Sequence, residues 1–152
     1  MNRQKTFITA HSGADGTCDN SMEFVQYALT TSADVLELDV RQDKDHNLII
    51  AHDETDGEAV SLVGVFSVMK DHPEMRMNCD LKEYGLELPV LKLAGECGLP
   101  VEQILYSGSV RPVPAEEPCP WRTVEVYWNV EECIPGIYDH AHTGDTPCAM
   151  PR

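Results

Sequence analysis

The stretch ADVLELDVRQDKDHNLIIAHD, residues 33–53, holds two short apolar runs, each closing on a carboxylate or a histidine. In VLELDV the side chains alternate, so Glu37 and Asp39 leave the same side of a strand while Val35, Leu36, Leu38 and Val40 supply the β-forming context. Two carboxylates on one face repel unless a positive charge lies between them, and a hard divalent cation with oxygen ligands is the simplest solution. LIIAHD then brings His52 to the end of a second apolar run, close in sequence to the acidic pair. An ionisable ring beside a metal suggests acid–base chemistry.

The same pattern extends outward. TFITAHSG is a β-rich run that ends at His11, and Gly13, Asp15 and Gly16 mark the loop after it. Downstream, MRMNCDLKEYG places Asp80 and Lys82 two apart, on one face if the run is extended. Singly, each of these residues has an ordinary structural reading. Together they put two histidines, three carboxylates and a cation at strand ends.

Strands are expected at residues 7–11, 35–40, 48–52, 75–80, 103–107 and 123–128. Helical periodicity falls at 21–31, 62–70 and 86–97, and the alternation favours an α/β fold with a parallel sheet. One connection breaks the rule, because RQDKDHN between Val40 and Leu48 is too short for a crossover helix. Seven residues at ~3.3 Å each can return as extended chain and keep the pairing parallel. A hairpin with DHN as its turn is the alternative.

The ordered set ITAHSG, DNSMEFVQYALTTSADVLELDV, KDHNLIIAHD, SLVGVFSVMKDHPEMRMNCDLKEYGLE and LAGECGLPVEQILYSGS resembles the glycerophosphodiester phosphodiesterase family of phospholipase-C-like barrel enzymes, from about Phe7 to Val110. The resemblance implies His11 and His52 as a catalytic pair, Glu37, Asp39 and Asp80 as ligands of Ca²⁺ or Mg²⁺, and Lys82 as a phosphate-side cation. It also favours the parallel return after Val40. The implied activity is hydrolysis of small glycerophosphodiesters, a reaction of lipid metabolism. The alternative is a truncated or degenerate inactive relative, or a half-barrel completed by another chain. This sequence departs from the family at Ser12, where an Arg is usual, at Asp19 before Asn20 and Ser21, and at Asp80, where Glu is common. Ser12 cannot reproduce the bidentate phosphate contacts of an Arg. The segment 54–60 is also short where many relatives carry an inserted cap.

A complete eight-unit barrel takes roughly 250 residues, and this chain has 152. The expectation is an incomplete TIM-type (β/α) barrel of about six strands, lacking a helix between the second and third. Residues 1–138 would form this partial barrel and 139–152, DHAHTGDTPCAMPR, a disordered tail. Such an open sheet would expose inner-face apolar groups and edges that invite self-association.

With 26 acidic and 11 basic side chains the net charge is −15, which argues against binding nucleic acid or an anionic membrane. A phosphate substrate then needs a cation to invert the local field. No apolar run approaches the ~20 residues of a membrane span, and the N-terminus has no signal-peptide pattern. A cytoplasmic location with six reduced cysteines is therefore expected.

Overall fold

The computed structural model describes residues 6–55 and 57–128. Its strands are β1 (Thr9–Ala10), β2 (Val35–Gln42), β3 (Leu48–Ile50), β4 (Val60–Ser61), β5 (Arg76–Leu81), β6 (Ile104–Gly108) and β7 (Glu125–Val126). Three helices lie between them: α1 (Met22–Leu29), α2 (Leu62–Met69) and α3 (Glu87–Cys97). The sheet runs β4-β3-β2-β5-β6-β7, with β1 also paired to β2. The expected α/β architecture, an unclosed (β/α) barrel without a helix between β2 and β3, is present. The proposed tail at 139–152 lies outside the described residues.

Period-two alternation along the central strands separates two chemistries. Leu36, Leu38 and Val40 of β2 stand in register with Met77, Cys79 and Leu81 of β5, and all are buried. With Ile104 and Tyr106 they pack against Phe24, Val25 and Ala28 of α1, Leu62, Val65, Phe66 and Met69 of α2, and Val90 and Ala94 of α3. This is one continuous core, and burying such side chains supplies the main driving force for folding. Local signals set the helix ends. Ser21 accepts a hydrogen bond from Phe24 N at 3.1 Å, and Gly98 closes α3 in the left-handed region at φ 77°.

The alternate residues of the same strands face away from the helices and are mostly polar. Glu37 pairs in register with Asn78, Asp39 with Asp80, and Asp80 with Ser107. Arg76 and Glu125 form an ion pair of 2.9 Å lower on this face. The apolar inner face expected of an open sheet is therefore largely replaced by paired polar groups, with Val35, Ile49 and Leu105 as buried apolar exceptions.

The return after β2 corrects the parallel pairing expected from the resemblance. β3 runs antiparallel to β2, with Val40 opposite Ile50, Arg41 opposite Ile49 and Gln42 opposite Leu48. The reason is turn chemistry. Asp43 Oδ1 accepts from Asp45 N at 2.9 Å and Asn47 N at 2.8 Å, while Oδ2 accepts from Asn47 Nδ2 at 2.9 Å. His46 takes a left-handed conformation, φ 64°, to complete the turn. An extended return would forgo this set of bonds. The hairpin then adds a strand the sequence reading lacked, β4, antiparallel to β3.

Gly108 ends β6 where the chain passes closest to β5. Its φ is +75°, and a Cβ there would lie 2.4 Å from Leu81 O and 2.8 Å from Asp80 Oδ1. Gly108→Ala is expected to cost on the order of 1–3 kcal/mol through backbone strain and to displace Asp80. Denaturant unfolding of the two proteins checks the first expectation, and a shift of Asp80 NMR resonances the second.

Candidate metal and acid–base site

β2 and β5 are parallel neighbours, so the C-terminal halves of both strands deliver their inward side chains to one place, the end where sites of parallel barrels are built. There Glu37, Asp39 and Asp80 each offer a carboxylate oxygen, all within 4.8 Å of one another. Glu37 and Asp39 are each 7 % exposed. The donors are hard oxygens, close-set and partly desolvated, a set that fits a Ca²⁺- or Mg²⁺-type ion. Asp80 reaches the group despite being one methylene shorter than Glu.

Each carboxylate is held by a different part of the chain. Asn20, in the left-handed region at φ 47°, donates from Nδ2 to Asp39 Oδ2 at 2.7 Å and accepts from Asp39 N at 3.0 Å. Asn20 N in turn donates to Ser12 Oγ at 2.6 Å, so Ser12 ties the first loop to the start of α1. Ser12 N donates to Glu37 Oε2 at 3.3 Å. Ser107 Oγ donates to Asp80 Oδ1 at 2.7 Å and accepts from Asn78 Nδ2 at 2.9 Å. Lys82 Nζ bridges Asp39 Oδ1 at 2.7 Å and Asp80 Oδ2 at 2.5 Å.

These contacts and burial shift the ionisation of three of the groups. Burial pushes the Glu37 carboxyl above its ordinary value, against the opposing pull of His11 and the Ser12 amide. Burial also works against ionisation of Asp39, but hydrogen bonds from Lys82 and Asn20 outweigh it and hold its carboxyl low. Lys82 is partly desolvated, yet its bonds to Asp39 and Asp80 raise its pKa.

One histidine touches this group and the other lies in the segment after β3. His11 lies on the β1 side, with Nε2 3.6 Å from Glu37 Oε2 and Nδ1 3.0 Å from Ser12 O. Its pKa is raised, first by the Ser12 carbonyl and then by Glu37. His52 follows β3 and lies within electrostatic reach of Asp39, with Nδ1 3.0 Å from Asp53 Oδ1. Both rings are open to solvent, with side-chain exposures of 82 % and 68 %. All six residues singled out from the sequence thus gather at one end of the sheet. Lys82 is directed at the carboxylates themselves. Asn20, Asn78 and Ser107 were missed; for Ser107 the usable signal was its place at the end of an expected strand, and Asn20 stood in the DNS motif without an assigned partner. Cys18, Cys79, Cys97 and Cys119 are free thiols, and burial drives Cys79 far up in pKa.

A three-carboxylate cup at the C-terminal ends of parallel strands is a donor set that could hold a divalent ion. The Glycerophosphoryl diester phosphodiesterase family model matches residues 10–85, and the chain belongs to that family. No curated protein matches the sequence. Among solved structures, a glycerophosphodiester phosphodiesterase from Agrobacterium tumefaciens is 21 % identical with a TM-score of 0.57, covering 67 % of this chain and 57 % of that one. One from Parabacteroides distasonis is 18 % identical with a TM-score of 0.58, covering 67 % and 56 %. A candidate member from Galdieria sulphuraria is 16 % identical with a TM-score of 0.65, covering 96 % and 74 %. These likenesses concern the fold, and the chain spans a little over half the length of the first two. Among the described residues no helix is long and apolar enough to cross a membrane.

Two stability measurements test the electrostatics. Glu37→Gln removes a buried charge whose ionisation folding opposes, so the metal-free melting temperature should rise, while the increase caused by Ca²⁺ or Mg²⁺ should vanish. For the unaltered chain that increase should be roughly 5–10 °C at a hundredfold excess over Kd. Lys82 has a folded pKa above its unfolded value, so its contribution is complete at neutral pH and is lost as pH rises through that raised value, beyond about 10. Lys82→Met should therefore lower stability at pH 8, and denaturant curves of the two proteins should converge at strongly alkaline pH.

Proposed function

We propose that this chain is a metal-dependent phosphodiesterase acting on glycerophosphodiesters. The observation that carries the reading is the convergence of Glu37, Asp39 and Asp80 to within 4.8 Å, with His11 3.6 Å from Glu37. Glu37, Asp39 and Asp80 would hold a divalent ion, whose chemistry is Lewis-acid polarisation of the phosphate oxygens. That charge is needed in a protein with a net −15.

His11 acts as the first base. The Ser12 carbonyl and Glu37 both favour its protonated form, which strengthens it as a proton acceptor. It takes the proton of the substrate hydroxyl adjacent to the phosphate, and the oxygen bonds to phosphorus. The bond from phosphorus to the leaving alcohol breaks as His52 supplies a proton to that oxygen. Water then opens the cyclic phosphate, with the histidines exchanging roles. Lys82, paired with Asp39 and Asp80 and lining an open pocket beside Asp80, provides a further positive charge toward the phosphate. The open pocket lined by Asp80, Lys82, Ser107, Ser109, Tyr127 and Trp128 adjoins this point and accommodates one arm of the substrate.

His11→Ala and His52→Ala are each expected to lower the rate by on the order of 10²- to 10⁴-fold, with metal-dependent stabilisation retained. Asp39→Asn should lose both. Because His11 titrates above its ordinary value, the ascending limb of kcat/KM against pH should lie above the usual histidine range. Assays of the release of the alcohol and of glycerol phosphate from a panel of glycerophosphodiesters, with chelator controls, decide the matter. No turnover of any member of the panel would overturn the assignment.

A further inference from the structure

Arg41 follows Asp39 by two residues on β2 and shares its face, yet it is not among the carboxylates' partners. Its side chain is only 14 % exposed and joins three segments. Nη1 donates to the backbone carbonyl of His52 at 2.9 Å. Nε lies 3.6 Å from Glu83 Oε1, an ionic contact too long for a hydrogen bond, and Nη2 lies 3.8 Å from the exposed Glu54. Glu83 is itself anchored, since its Oε1 accepts from Gln42 N at 3.0 Å. One residue away, Ala51 N donates to Asp39 O at 3.1 Å.

We propose that Arg41 is a positioning residue for His52. After Ile50 the strand ends and the chain bends, so the imidazole has no ladder to fix it. Two backbone grips remain: the Ala51–Asp39 bond on one side and the Arg41 fork on the other. The guanidinium is planar and offers donors in fixed directions, so holding it against Glu83 also fixes the line along which it meets the His52 carbonyl. The ring is thereby set relative to Asp39, on whose charge it acts. This inference rests on the reading of His52 as the proton donor. Misplacement of such a group by about 1 Å can cost about a hundredfold in rate.

The test uses the full chain with Arg41→Met, Arg41→Lys, His52→Ala and the double variant, on the glycerophosphodiester that the unaltered protein turns over fastest. Arg41→Met should lower kcat by about 10- to 100-fold, change KM by less than about twofold, and keep the metal-induced rise in melting temperature. Arg41→Lys should recover part of the loss, because an ammonium can reach the carbonyl but cannot also span to Glu83. The double variant should be no slower than His52→Ala, since the two losses share one route. Losses that multiply, or a rise in KM alone, would overturn the inference and leave the phosphodiesterase reading standing. Should no substrate be turned over, that reading fails, and Mn²⁺-induced relaxation of the His52 Cε1 proton still tests the positioning. A change in Arg41→Met supports it, and identical relaxation overturns it.

Discussion

Three carboxylates held within 4.8 Å of one another repel, and the C-terminal end of this sheet is organised around that repulsion. Lys82 bridges two of them. Asn20 saturates one oxygen of Asp39 and Ser107 one oxygen of Asp80, while Glu37 is met by a backbone amide and by His11. The residual negative charge makes these oxygens a set that could hold a divalent ion.

The arrangement depends on the parallel register of β2 and β5. With Asp39 opposite Asp80, one more residue along each strand would turn both side chains into the helix-facing core, where Val40 and Leu81 now sit. The same register keeps Leu38 and Cys79 beneath the cup. A slip would expose apolar groups and bury charges together, so the core specifies the site.

Much of this was legible in the sequence because strand periodicity is a strong constraint. Glu37 and Asp39 share a face by alternation alone, as do Asp80 and Lys82, and the helices at Met22–Leu29, Leu62–Met69 and Glu87–Cys97 follow their apolar spacing closely. The direction of β3 was less accessible. It turns on Asp43 gathering the amides of Asp45 and Asn47 and on His46 entering the left-handed region, both compatible with the letters DKDHN but not required by them. β4 is two residues long and exists only because β3 presents an edge to it. The roles of Asn20 and Ser107 were missed for another reason. Their partners lie 19 and 27 residues away, and only tertiary structure brings polar groups of that separation together.

The hairpin between β2 and β3 also fixes the order in which the site can assemble. Glu37, Asp39, Arg41 and His52 come from a single antiparallel pair closed by five residues, the kind of contact that forms within microseconds at small entropic loss. Asp80, Lys82 and Ser107 must arrive over long loops, through the parallel pairings that slow folding. While the chain is half-folded, Asp39 therefore lies beside the segment that carries His52, held through Ala51, before Lys82 of β5 reaches it.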